Sequence, residues 1–99
     1  MAQKTNQYPN GTSFHDVTID ASVNQLTKAF GEPTHQDNTG EDKVNFEWVM
    51  ETKGGKVFTI YDWKEYRKLS KSEPIEWHIG SHNKITCLQA LEEINRVIG

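Results

Sequence analysis

A single cysteine, Cys87, stands in the whole chain, so no disulfide can close within it, and that usage fits a reducing cytoplasm. Long apolar runs are missing too: none approaches the roughly 20 residues that a membrane-spanning helix needs. The opening Met1-Ala2-Gln3-Lys4-Thr5-Asn6-Gln7 has no apolar centre of the kind a signal peptide carries. Basic charge is not in excess. Eleven Lys and Arg against fourteen Asp and Glu leave a formal charge of -3, which speaks against non-specific binding to DNA or RNA. Phosphate-cradling glycine loops, the dinucleotide-binding fingerprint and the nucleophile elbow are all absent. Structural zinc needs two close-spaced ligand pairs. His78, His82 and Cys87 make one loose set across a strand end, a loop and a helix, so neither a metal nor a cofactor is expected.

Ninety-nine residues with 34% hydrophobic content make one modest domain whose core leans on three tryptophans, three tyrosines and four phenylalanines. The stretch Val57-Phe58-Thr59-Ile60-Tyr61-Asp62-Trp63-Lys64-Glu65-Tyr66 organises the rest. Its first half is β-prone and needs a core, whereas its second half alternates rings with charge and suggests a binding surface. Just before it, Lys53-Gly54-Gly55-Lys56 reads as a hairpin turn, and Val44-Asn45-Phe46-Glu47-Trp48-Val49-Met50-Glu51 alternates as a half-buried strand. A two-residue loop sets Lys53 against Lys56, Trp48 against Tyr61 and Phe46 against Trp63 on one face. Val49 against Ile60 and Glu47 against Asp62 then occupy the other, with Lys64 and Lys43 as the nearest cations for that acid pair.

Residues 1–13 read as a polar arm and residues 14–99 as a single α+β domain. Phe14-His15-Asp16-Val17-Thr18-Ile19-Asp20 is a first strand, with Val17 and Ile19 assigned to opposite faces. Ser22-x-x-Gln25 is a capping box opening a helix through Val23, Leu26 and Phe30, which Gly31 and Pro33 end. Residues 34–42 read as an exposed loop and residues 68–74 as a polar connection. Ile75-Glu76-Trp77-His78-Ile79 is a further strand, and Leu88, Leu91, Ile94 and Ile98 mark a last helix, helped by Cys87 and Ala90 and capped by Thr86-x-x-Gln89. The order is β-α-β-β-β-α, a mostly antiparallel sheet covered by helices.

Catalysis finds no support in these residues: Asp62 and Glu47 lack a neighbouring nucleophile, and Cys87 lies on an apolar stripe where a buried thiol is the ordinary outcome. Binding fares better. Phe46 and Trp77 fit the core, while Trp63 and Tyr66 alternate with charge beyond the strand's apolar half. Such rings can stack on nucleobases, Lys64 and Arg67 can pair with phosphates, and Gly80 and Ser81 can add backbone donors for an anion. A solvated turn of mixed charge over residues 64–68 is the competing reading of the same residues.

Phe30-Gly31-Glu32-Pro33, Glu47-Trp48, Ile60-Tyr61-Asp62-Trp63-Lys64-Glu65-Tyr66 and Trp77-His78-Ile79-Gly80 together resemble a widespread family of small proteins from tailed bacteriophages, over residues 12–97. The pattern is also similar to phage nucleotide sponges that counter CBASS immunity. That resemblance implies a homo-oligomer, a dimer or tetramer, in the host bacterial cytoplasm. It would sequester a cyclic dinucleotide such as 3′3′-cGAMP without cleaving it. The carried-over positions are Tyr61, Asp62, Trp63, Lys64 and Tyr66, with Trp77, His78 and Gly80. Adding Arg67 and Ser81 from the residue chemistry completes the expected nucleotide-binding set, with Trp77 kept for the core. The alternative is an acidic inhibitor that binds a host protein, in the manner of an anti-CRISPR or host-takeover factor; a weak hydrolase using Asp62 or His78 is a third reading.

Overall fold

The structure is a computed structural model describing residues 2–41 and 43–98. Met1 of the arm, Asp42 at the end of the expected loop and Gly99 lie outside the described residues. The elements run β1 (Gln3–Lys4), β2 (Ser13–Ala21), α1 (Val23–Phe30), β3 (His35–Gln36), β4 (Phe46–Glu51), β5 (Val57–Tyr61), β6 (Ile75–Ser81) and α2 (Lys84–Ile98). One antiparallel sheet has the order β1-β4-β5-β6-β2, and β3 also pairs with the outer edge of β4. The α+β class and the helix-covered antiparallel sheet are as the pattern predicts. The two-residue strands β1 and β3 are additions, too short to leave a periodic signal.

The hairpin register differs from expectation by one residue. Thr52, not Lys53, faces Lys56: Thr52 N donates to Lys56 O at 2.9 Å and Gly55 N to Thr52 O at 2.8 Å. Gly55 takes the left-handed φ of +80° that closes a three-residue loop. Glu47 therefore pairs with Tyr61, Trp48 with Ile60 and Val49 with Thr59. A one-residue slip moves side chains to the opposite face. Phe46 and Trp48 enter the core with Phe58 and Ile60, whereas Tyr61 joins Glu47 on the helix-free side. Within the core the Trp48 and Trp77 rings meet edge to face at 5.5 Å, and Trp77 Nε1 donates to Ala21 O.

Val17 and Ile19 both point into that core, since residues two apart share a face of a strand. Ser22 and Gln25 form the reciprocal capping box, with Gln25 N bonded to Ser22 Oγ at 3.1 Å and Ser22 N to Gln25 Oε1 at 2.8 Å. The last helix starts earlier than Thr86, because Asn83 Oδ1 accepts from Thr86 N at 2.8 Å and is the cap. Its inward stripe is Cys87, Ala90 and Ile94, flanked by the partly buried Leu91 and Ile98. With Cys87, Ala90 and Ile94 facing the sheet, Leu88 lies about 100° further round the helix and is 49% exposed. No helix among the described residues is long and apolar enough to cross a membrane.

The segment read as an arm is part of the sheet and then crosses it. Beyond β1, Thr5 N bonds Val49 O, Gln7 Nε2 bonds Gly55 O, and Asn10 O meets His82 Nε2 at 2.8 Å on the far side. Val49 and Thr59, on the helix-free face, are buried as a result.

Two loops interlock at the opposite end of the hairpin. Asn38 exchanges two hydrogen bonds with Leu69, and Gly40 lies against the backbone of Arg67 with φ +82°. A Cβ on Gly40 would come within 2.6 Å of Arg67 Cα, while one on Gly55 would meet nothing within 4 Å. Gly55→Ala is therefore expected to cost about 1 kcal/mol, the left-handed penalty alone. Gly40→Ala should cost at least about 2–3 kcal/mol, since the clash adds to that penalty. Urea midpoints of the two variants check the difference; equal losses would mean that the interlock is soft.

Candidate functional site

The corrected register builds one row of side chains across the helix-free face, with His35 beside Glu47, Glu47 beside Tyr61 and Tyr61 beside His78. The neighbouring row carries Thr59, Gly80 and Phe14. Between Phe14 and Thr18 the β2 strand bulges, with Asp16 at φ +62°. Extra residues in a bulge re-aim nearby side chains. Here Phe14 stacks on His78 with centroids 4.0 Å apart and planes 16° from parallel. Tyr61 meets His78 edge-on at 5.5 Å and Trp63 edge-on at 6.1 Å, and Trp63 lies 6.3 Å from His78.

Of these rings Tyr61 and Trp63 wall a groove of about 220 Å³, lined also by Ser13, Glu47, Thr59 and Gly80 among others. A Cβ on Gly80 would sit 2.8 Å from Thr59 Oγ1 and 3.4 Å from the Tyr61 ring, so the bare backbone there is what leaves the floor open. Trp63 is 41% exposed at the rim. The ammonium groups of Lys43 and Lys64 lie 5.9 and 5.5 Å from its ring centre. Contacts of this kind are worth about 0.5–1 kcal/mol at exposed positions, weak enough for an arriving anion to draw the lysines away.

Asp62 fixes the rim from beneath. It is fully buried, and its Oδ1 accepts from Asn45 N and Phe46 N at 2.8 Å each while Oδ2 accepts from Asn45 Nδ2 at 3.0 Å. The turn that follows bonds Lys64 N to Lys43 O at 2.7 Å and holds Lys64 and Tyr66 at φ +55° and +49°. Left-handed backbone at side-chain-bearing residues costs about 1–2 kcal/mol each, so the packed loops must hold this display in place.

The expected set divides. Tyr61, Trp63 and Gly80 come together at the groove, with His78 against both rings and the Lys64 ammonium over Trp63. Asp62 does not reach it, because burial and three donors engage its carboxylate. Ser81, expected to lend a backbone donor, is fully buried with its backbone paired between Ser13 and Phe58 in the sheet, and its hydroxyl is bonded to Asn83 O beside Cys87 Sγ. Arg67 turns to Glu73 in a two-pronged pair at 2.6 and 3.2 Å, which holds the Glu73 carboxyl below its ordinary range. Tyr66 is exposed but belongs to none of the ring contacts. Residue reasoning missed Phe14, which only the bulge delivers, and placed Glu47 opposite Asp62 instead of Tyr61.

Burial raises the pKa of Glu47, with His35 at 3.9 Å pulling the other way. Burial first, and then the Glu47 charge, raises that of Tyr61. Ser13 Oγ lies 3.3 Å from His15 Nε2, a spacing that invites comparison with a nucleophile and its base. The same nitrogen is 3.1 Å from Ser81 O, an acceptor that can only receive a proton. Nε2 therefore carries its hydrogen and is not the base for Ser13. Among the described residues, no three His, Cys, Asp or Glu side chains gather as a metal-binding group.

The chain matches no protein-family model, no curated protein and no solved structure.

Proposed function

We propose that this protein binds a cyclic dinucleotide, such as 3′3′-cGAMP, and sequesters it without cleavage, as a phage anti-defence protein. The observation that carries the reading is the Trp63 ring, held out at the rim of a ring-walled groove with two ammonium groups beside it. A base stacks on such a ring for about 1–3 kcal/mol, and the lysines are free to turn to phosphate. The phage assignment rests on the resemblance carried by residues 60–66 and 77–80.

Groove size supports sharing between copies. Pockets that enclose a drug-sized ligand run to about 300–1,000 Å³. At about 220 Å³ this groove suits one ring, so a ligand with two bases would engage two copies of the chain. A homo-oligomer follows from the reading.

A thermal-shift screen against cyclic di- and trinucleotides, cyclic ADP-ribose products and ATP tests it. At a hundred times its dissociation constant, the ligand adds about 2.7 kcal/mol and raises Tm on the order of 10 °C in a domain of this size. No rise with any of them contradicts the proposal. One observation favours the protein-binding alternative in that event: Ile85 and Leu88 stand 69% and 49% exposed together on α2. An inhibitor of that kind would co-purify with a host protein.

A further inference from the structure

Glu47 is an acceptor without a donor. Its side chain keeps only 28% exposure, yet among the described residues no N–H or O–H donates to it, and its one charged neighbour, His35, stays 3.9 Å away. It lines the same groove as Tyr61 and Trp63, one strand over from Tyr61. Two neighbouring acids are satisfied by contrast: Asp62 has three donors, and Glu73 has Arg67 and Ser70 N. A half-buried carboxylate that only water satisfies is less well solvated than a free one, and it gains when a ligand brings N–H groups to it.

Resting on the nucleotide reading above, we infer that Glu47 is the specificity-determining residue of the groove, selecting a base whose edge presents two adjacent N–H donors, as guanine does at N1 and N2. The two carboxylate oxygens match that pair side by side. Adenine presents one donor beside an acceptor, which would face a carboxylate oxygen, and hypoxanthine keeps N1–H but lacks the 2-amino group. Raising of the carboxyl's pKa by burial agrees with a group that the protein alone does not stabilise. The lysines at the rim stay outside this contact and serve the phosphate.

The test is a calorimetric or Trp-fluorescence titration of the full chain with GMP, IMP and AMP, repeated on Glu47→Gln. Native protein should bind GMP at least about fivefold more tightly than IMP or AMP, the range of a two-pronged base contact being about 5–150-fold. In Glu47→Gln, whose amide reverses one acceptor, the GMP preference should collapse while AMP binding holds or improves. Equal affinities for the three nucleotides in the native protein would overturn the role of Glu47 and leave nucleotide binding standing. An unchanged GMP-to-IMP ratio in a folded Glu47→Gln protein would do the same. Failure of all three to bind a native protein whose Tm a cyclic dinucleotide does raise would overturn the role of Glu47; failure of the cyclic dinucleotides as well would remove the reading beneath it.

Discussion

Asp62→Ala is expected to destabilise the protein by about 3–5 kcal/mol. The carboxylate is wholly inaccessible and satisfies two backbone N–H groups and the Asn45 amide. Truncation leaves the two backbone N–H groups without an acceptor in a buried place and the Asn45 amide with only its bond to Arg67 O, and each such loss costs about 1–3 kcal/mol before any relaxation. For a domain of this length the melting point should fall by more than about 12 °C. Asp62→Asn should fall between, since one oxygen can still take the Asn45 and Phe46 N–H groups while the new NH2 faces the Asn45 amide nitrogen. Urea denaturation of the three proteins measures this directly. A loss under about 1 kcal/mol for Asp62→Ala would show that the loop does not depend on its carboxylate.

Trp63→Ala is expected to do the reverse: large in binding and small in stability. The ring is 41% exposed and lies outside the buried core cluster, so its removal should change the unfolding free energy by about 1 kcal/mol or less. It also supplies the stacking surface and the site that gathers Lys43 and Lys64. Losing a base stack worth about 1–3 kcal/mol corresponds to a five- to 150-fold weaker complex. Trp63→Phe keeps a smaller ring and should retain part of the affinity. An affinity unchanged in Trp63→Ala would move the ligand away from this rim.

Much of the fold is legible in the sequence because local chemistry and global packing agree there. The Ser22–Gln25 box, the Gly31 helix end and the period of β4 each point to the observed element. The hairpin register is not legible from Lys53-Gly54-Gly55-Lys56, since paired glycines suit two-residue and three-residue loops alike. The choice between them rests on the bonds that Thr52 makes to Gly55 and Lys56. That single residue decides which face Tyr61 takes. The expected pairing of Asp62 with Glu47 follows from a two-residue loop, and the donors that bury Asp62 lie 16 and 17 positions away in sequence. Phe14 reaches His78 only through a bulge, which left no mark in the alternation of β2.

The most direct test of the central claim is an isothermal titration of the chain with the cyclic dinucleotide that gives the largest thermal shift, followed by recovery of the nucleotide from the denatured complex. Sequestration across two copies predicts saturation at one ligand per two chains and return of the ligand intact and cyclic. A linear or hydrolysed product would show turnover in place of storage, and saturation at one ligand per chain would show that a single groove suffices.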